Sequence, residues 1–112
     1  MSGKTVHYTR KTIEVAPGIK VICGGSVTEA DSGHEYGSDS LCLVTRRGTE
    51  ILDSSPYFID LQSATLEGNE IVIKWKRQEK YHEERRGVYD ESYRWIEEVI
   101  RSRECEKRIP VR

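Results

Sequence analysis

The chain has 112 residues, 33% of them charged, yet its formal charge is only −1; that length is one domain with room for a real core. Three cysteines (Cys23, Cys42, Cys105) form no CxxC pair and stand at no ligand spacing from a histidine, which argues against a zinc site and a secreted disulfide framework. No apolar run approaches the ~20 residues of a membrane span, and the N-terminus has no signal-peptide pattern, so a soluble, cytoplasmic protein is expected.

Ile and Val number 10 and 9 against 5 Leu. This favours strands, because β-branched side chains fit a pleated surface better than a helix. Residues 5–15 read as a first strand. Val6 and Tyr8 share one parity while Ile13 and Val15 share the other, so the pleat flips near Arg10-Lys11, and a β-bulge is the simplest cause. Ala16-Pro17-Gly18 supplies a turn, with proline preset for the first central position and glycine free to take φ > 0 at the second. Residues 19–23 follow as a second, antiparallel strand. Residues 24–40 hold four of the nine glycines and few apolar side chains. Seventeen residues without periodicity predict a mobile surface excursion, the first place to look for partner contacts.

Leu41-Cys42-Leu43-Val44 predicts a short strand at the sheet centre. Arg46-Arg47-Gly48-Thr49 predicts a tight turn into residues 50–53, and Ser54-Ser55-Pro56 breaks the pattern. Tyr57, Ile59 and Leu61 then point one way and Asp60 and Gln62 the other. After a turn at Glu67-Gly68-Asn69-Glu70, Ile71, Ile73 and Trp75 resume the buried parity with Lys74 and Lys76 outward, which predicts a hairpin. Residues 78–89 form a charged connector, open between strand extension, a polar helical turn and mobile chain. Asp90 suits an N-cap, and Tyr93, Ile96 and Ile100 recur at i, i+3 and i+7, with Trp95 and Val99 widening the stripe. This predicts an amphipathic helix over 90–105, followed by a basic tail or short edge strand at 106–112. The expected fold is α+β: one domain with a twisted, mostly antiparallel sheet of about five or six strands within residues 1–77, and one C-terminal helix packed on one face.

The net charge divides into −4 over residues 1–73 and +3 over residues 74–112. In the excursion, Glu29, Asp31, His34, Glu35, Tyr36 and Asp39 are the candidate partner-binding residues. Aromatic, small polar and acidic side chains make an adaptable contact surface, and the carboxylates would steer a basic partner. A histidine among carboxylates could also serve as a general base or metal ligand. The spacing of Asp31, His34 and Glu35 matches no metal loop, however, so neither metal nor cofactor is expected. Lys74, Lys76, Arg77 and Arg86, around Trp75 and Tyr81, carry the alternative of an RNA or single-stranded nucleic-acid binder. Glu79, Glu83, Glu84 and Glu91 dilute that field, and Trp75 lies on the core parity. Gly24-Gly25-Ser26 follows a strand but opens no helix with Lys-Ser or Lys-Thr, so it is no phosphate loop. His34 or His82, with His7 as the third imidazole, leaves a second alternative, a small metal-independent hydrolase or nuclease. No nucleophile elbow or motif-placed Cys and His supports it, and no catalytic residue is assigned. The favoured reading is a small soluble non-enzymatic module that binds another protein through residues 24–40, as an inhibitor, immunity-type or accessory factor.

Overall fold

Three two-residue turns set the course of the chain. Pro17-Gly18 joins Ala16 to Ile19 with Gly18 at φ +81°, Arg46-Arg47 joins Thr45 to Gly48, and Gly68-Asn69 joins Glu67 to Glu70 with Gly68 at φ +60°. Glycine tolerates that left-handed backbone because it has no Cβ. In this computed structural model, which describes residues 4–29 and 35–111, the chain forms seven antiparallel strands, and these turns join the first to the second, the third to the fourth and the fifth to the sixth. They are β1 (Thr5–Ala16), β2 (Ile19–Glu29), β3 (Glu35–Thr45), β4 (Gly48–Ser55), β5 (Ile59–Glu67), β6 (Glu70–Arg86) and β7 (Arg94–Pro110). β1 to β4 form one sheet in sequence order and β5 to β7 a second, and residues 56–58 carry the chain between them.

The two sheets face each other across one apolar core. Val21 and Cys23 of β2 pair with Leu43 and Leu41 of β3, and these four meet Ile59, Leu61, Ala64, Ile71, Ile73 and Trp75 of β5 and β6. Alternate residues along each strand enter this layer, as sandwich packing requires. Burial of each large apolar side chain stabilises by roughly 1.5–3 kcal/mol. Two groups of polar contacts span the sheets at one end of the core. Arg10 sits in the bulge between Thr9 and Lys11, and its guanidinium makes a two-pronged pair with Asp39, at 2.9 and 2.7 Å. Its Nη2 also donates to the Ile59 carbonyl, and Asp39 accepts the Ile59 amide at 2.8 Å. On the other flank, Asp53 of β4 accepts the Trp75 indole N–H at 2.8 Å and Arg77 at 2.7 Å, while the Ser55 hydroxyl donates to the Gln78 carbonyl.

Beyond this polar belt the strands continue without the sandwich. β6 and β7 stay in unbroken register from Glu70↔Pro110 to Arg86↔Arg94, whereas β5 accompanies β6 only as far as Ile59↔Arg77. At the outer end of the other sheet β2 and β3 pair out to Glu29↔Glu35, with β1 alongside β2 as far as Thr5↔Thr28. These ribbons give the molecule extents of 61 × 44 × 17 Å and a radius of gyration of 18.8 Å. A compact chain of roughly 100 residues would have about 13 Å.

The expected α+β fold is therefore corrected to all-β. No helix occurs among the described residues, so none is long and apolar enough to cross a membrane. Residues 94–105 belong to β7, and Ile96 and Ile100 are exposed instead of packed on a sheet. Residues 78–86 of the connector extend β6, and the 106–110 part of the tail pairs with its first half. Asp90 uses its capping chemistry in a turn: its Oδ1 accepts from the Ser92 amide and hydroxyl at 3.0 and 2.6 Å. The excursion at 24–40 is largely strand, for Gly24–Glu29 and Glu35–Ser40 pair with each other. The bulge at Arg10, the Pro17-Gly18 turn and the 59–75 hairpin are as expected.

The core and the ribbon should respond differently to truncation. Ile73→Ala should cost about 2–5 kcal/mol in urea denaturation, as for deletion of buried methyl groups. Ile96→Ala should stay within about 0.5 kcal/mol, the usual range for surface changes. A large loss at Ile96 would mean that the ribbon is covered.

Candidate functional site

The section of β6 and β7 past Arg77 keeps regular structure with most of its residues exposed. A hairpin strand alternates its side chains between two faces, and here neither face meets the other sheet. The face continuing from the core carries Glu79, Tyr81, Glu83 and Arg85 opposite Arg101, Val99, Glu97 and Trp95. It is laced by ion pairs: Arg103 to Glu79 at 2.9 Å, Arg101 to Glu83, and Arg85 to Glu83 and Glu97, both at 2.8 Å. Tyr81 donates to Glu79 while the Arg101 guanidinium lies 5.6 Å from the Tyr81 ring centre. The opposite face holds Lys80 against Glu98 at 2.7 Å and Arg94 against Glu84 at 3.4 Å. The hydrogen bond between Lys80 and Glu98 raises the lysine pKa and lowers that of the carboxyl. Flanking Glu98 on this face are Ile96, 72% exposed, and Ile100.

At the tip the chain turns through residues 87–93, closed by the Gly87 amide donating to the Tyr93 carbonyl at 2.8 Å. Val88 and Tyr89 project from it fully into solvent, and Tyr93 lies against Trp95 with ring centres 5.6 Å apart. Asp90 and Glu91 make the tip acidic, and the hydrogen bonds from Ser92 hold Asp90 below the usual carboxylate pKa.

The far end of the sandwich has a different surface. Where the two sheets part, a cleft of about 510 Å³ opens over Leu43 and Ile71, walled by Ile19 and Ile109. Arg46 and Arg47 stand on its rim together with Glu50. Among the described residues neither arginine enters an ion pair.

The residues singled out by sequence are scattered over this frame. Glu29 is exposed at the end of β2, and Glu35 and Tyr36 open β3 in register with Glu29 and Thr28. Asp31 and His34 lie outside the described residues. Asp39 is 6% exposed and is held by Arg10, which removes it from any contact surface. Gly24 and Gly25 serve packing: a Cβ on Gly24 would fall on the Tyr8 carbonyl, and one on Gly25 would come within 2.7 Å of Asp39 Oδ1. Lys74 and Lys76 point outward, whereas Arg77 faces the other way into Asp53 and Glu79. Arg86 is ten residues beyond Lys76, or roughly 34 Å along a strand, so the four basic residues make no common patch. Trp75 is in the core.

For chemistry, the cluster of Cys23, Arg10 and Asp39 is the nearest to an activated thiol. Arg10 Nη2 lies 3.5 Å from Cys23 Sγ, and the thiol donates to the Ile59 carbonyl at 3.2 Å. Burial pushes the Cys23 pKa up against the opposing pull of Arg10. A buried, protonated thiol is a packing group and no nucleophile. His82 is exposed on the ribbon, 3.5 Å from Glu98. Among the described residues no three His, Cys, Asp or Glu side chains are grouped to hold a metal ion. The chain matches no protein-family model, no curated protein and no solved structure.

Two measurements follow from Cys23. In the native protein Ellman's reagent should spare it while reacting with the half-buried Cys42 and Cys105, and should reach it only on unfolding. A folded-state pKa raised above the unfolded one gives stability that is complete below the unfolded value, about 8.5. That stability fades as pH rises toward the folded value. The urea midpoint should therefore fall between pH 8 and 10, and by less in Cys23→Ala; equal slopes would show that Cys23 is not burial-shifted.

Proposed function

We propose that the chain is a non-enzymatic interaction module that docks on another protein through the β6–β7 ribbon, with the sandwich as its rigid base. The observation that carries this reading is a sheet ribbon of nine residues per strand, 78–86 and 94–102, that projects past its own core. It bears the uncovered apolar side chains Ile96 and Ile100 and ends in Val88, Tyr89 and Tyr93. Exposed apolar residues grouped on one element with charged neighbours mark interaction sites more often than chance. Aromatic side chains supply contact area at low entropy cost. The contact surface thus moves from residues 24–40 to the ribbon, with the outer end of β2 and β3 as an adjoining surface that still offers Glu29. The nucleic-acid alternative has less support, because Lys74, Lys76, Arg77 and Arg86 make no common patch and two of them, Lys74 and Arg77, are paired to carboxylates. The hydrolase alternative has His82 beside Glu98, 3.5 Å apart, to draw on, and both side chains stand exposed on the ribbon. Whether the docked partner makes this an inhibitor, an immunity-type protein or an accessory factor depends on what that partner is.

The test is site-specific photocrosslinking in the native cell. A photoreactive residue at Ile96 or Ile100 should yield a discrete adduct, and one at exposed Thr12 or Glu14 on β1 should not. Adducts of equal yield from both regions, or none from the ribbon, would remove the proposal.

A further inference from the structure

The tip of the ribbon and the cleft at the other end of the sandwich are chemically matched. The tip presents Val88 and Tyr89 beside two carboxylates, Asp90 and Glu91. The cleft presents an apolar floor of Leu43 and Ile71 under a rim with two arginines and one glutamate, Arg46, Arg47 and Glu50. Its volume of about 510 Å³ is of the size that admits small ligands or a few side chains. The tip carries −2 and the rim +1. We propose that the occupant of the cleft is the arm tip of a second copy of this chain, so that the protein assembles head to tail.

Geometry excludes the alternative that a chain fills its own cleft. Ile71 lies one residue into β6, whereas the tip follows Arg86 at its far end. At about 3.4 Å per residue the two are roughly 50 Å apart along one uninterrupted strand. A straight ribbon cannot fold back over that distance, so a tip meets only another molecule's cleft. Such a contact joins two different patches and is heterologous: it repeats from copy to copy and ends in a ring or an open chain. A seven-residue tip buries far less than the roughly 1,600 Å² of a standard stable interface. Each joint is therefore weak, and assembly grows with protein concentration and weakens with salt as the charges are screened.

This inference rests on the ribbon being the docking element, and its test separates the two. Asp90→Asn with Glu91→Arg changes the tip from −2 to +1 and keeps an acceptor for Ser92. Arg46→Glu with Arg47→Glu changes the rim from +1 to −3. All four positions are exposed turn residues, and a circular-dichroism melt confirms that each variant is folded. In sedimentation velocity the native chain should show species larger than a monomer that increase with concentration. Each variant alone should remain monomeric, because its tip and rim then carry like charges. An equimolar mixture should regain association, since each variant's tip meets the other's rim with opposite sign. A native chain that stays monomeric up to about 1 mM, the range of weak joints, overturns the inference. So does a mixture that fails to recover, or variants that associate like the native chain. None of these results touches the broader reading, which stands or falls on the Ile96 crosslink. An Ile96 adduct to a different protein with a monomeric native chain would retain that reading and remove self-assembly alone.

Discussion

The bridge between Arg10, Asp39 and Ile59 is the contact on which the arrangement of the sheets depends. A carboxylate taken out of water is costly unless every oxygen finds a partner. Here both oxygens of Asp39 are occupied by Arg10, and one also takes the Ile59 amide. Arg10 can reach only because the bulge turns it inward, and the two glycines opposite leave space for Tyr8 and Asp39. Apolar packing tolerates small slips between layers, but this set of directional bonds does not. It fixes β5 against β1 and β3, and Asp53 does the same for β6 against β4 through Trp75 and Arg77. Where the belt ends, the sandwich ends.

That position explains how a ribbon with no core can stand out from the fold. An isolated two-stranded hairpin is at best marginally stable in water, and exposed ion pairs such as Lys80–Glu98 add little because solvent screens them. The ribbon gets its support at the root, where Ile71, Ile73 and Trp75 of the same strand are locked in the core. Unbroken pairing then carries that order outward. With few buried apolar contacts of their own, the outer residues have the features that go with low local stability, as do elements that meet partners.

Much of the sandwich could be read from residues alone. Ile59, Leu61, Ile71, Ile73 and Trp75 alternate cleanly because one face is buried, and burial enforces parity. Gly18 and Gly68 sit where a turn demands positive φ. The ribbon escaped for the same physical reason: with both faces in water, no parity is enforced. Trp95, Ile96, Val99 and Ile100 then happen to satisfy a helical stripe as well as a strand. What decides between them is pairing with residues 80–85, a non-local fact, although the β-branched character of Ile96, Val99 and Ile100 pointed toward a strand. Asp39, expected at a partner-facing surface, sits inward, and nothing local reveals that Arg10 holds it there. The tip did carry a signal: Val88 and Tyr89 are bulky and apolar at a turn, where Gly, Asn or Ser are usual.

The short link at residues 56–58 has a consequence for how copies meet during folding. Because β1 to β4 and β5 to β7 are contiguous stretches of sequence on either side of it, each sheet closes through its own local hairpins. Two chains emerging together could therefore exchange whole halves, each sandwich completed by its neighbour with the contacts within each sheet intact. The same division makes the chain suited to splitting at the link, with the two fragments re-forming one sandwich when mixed.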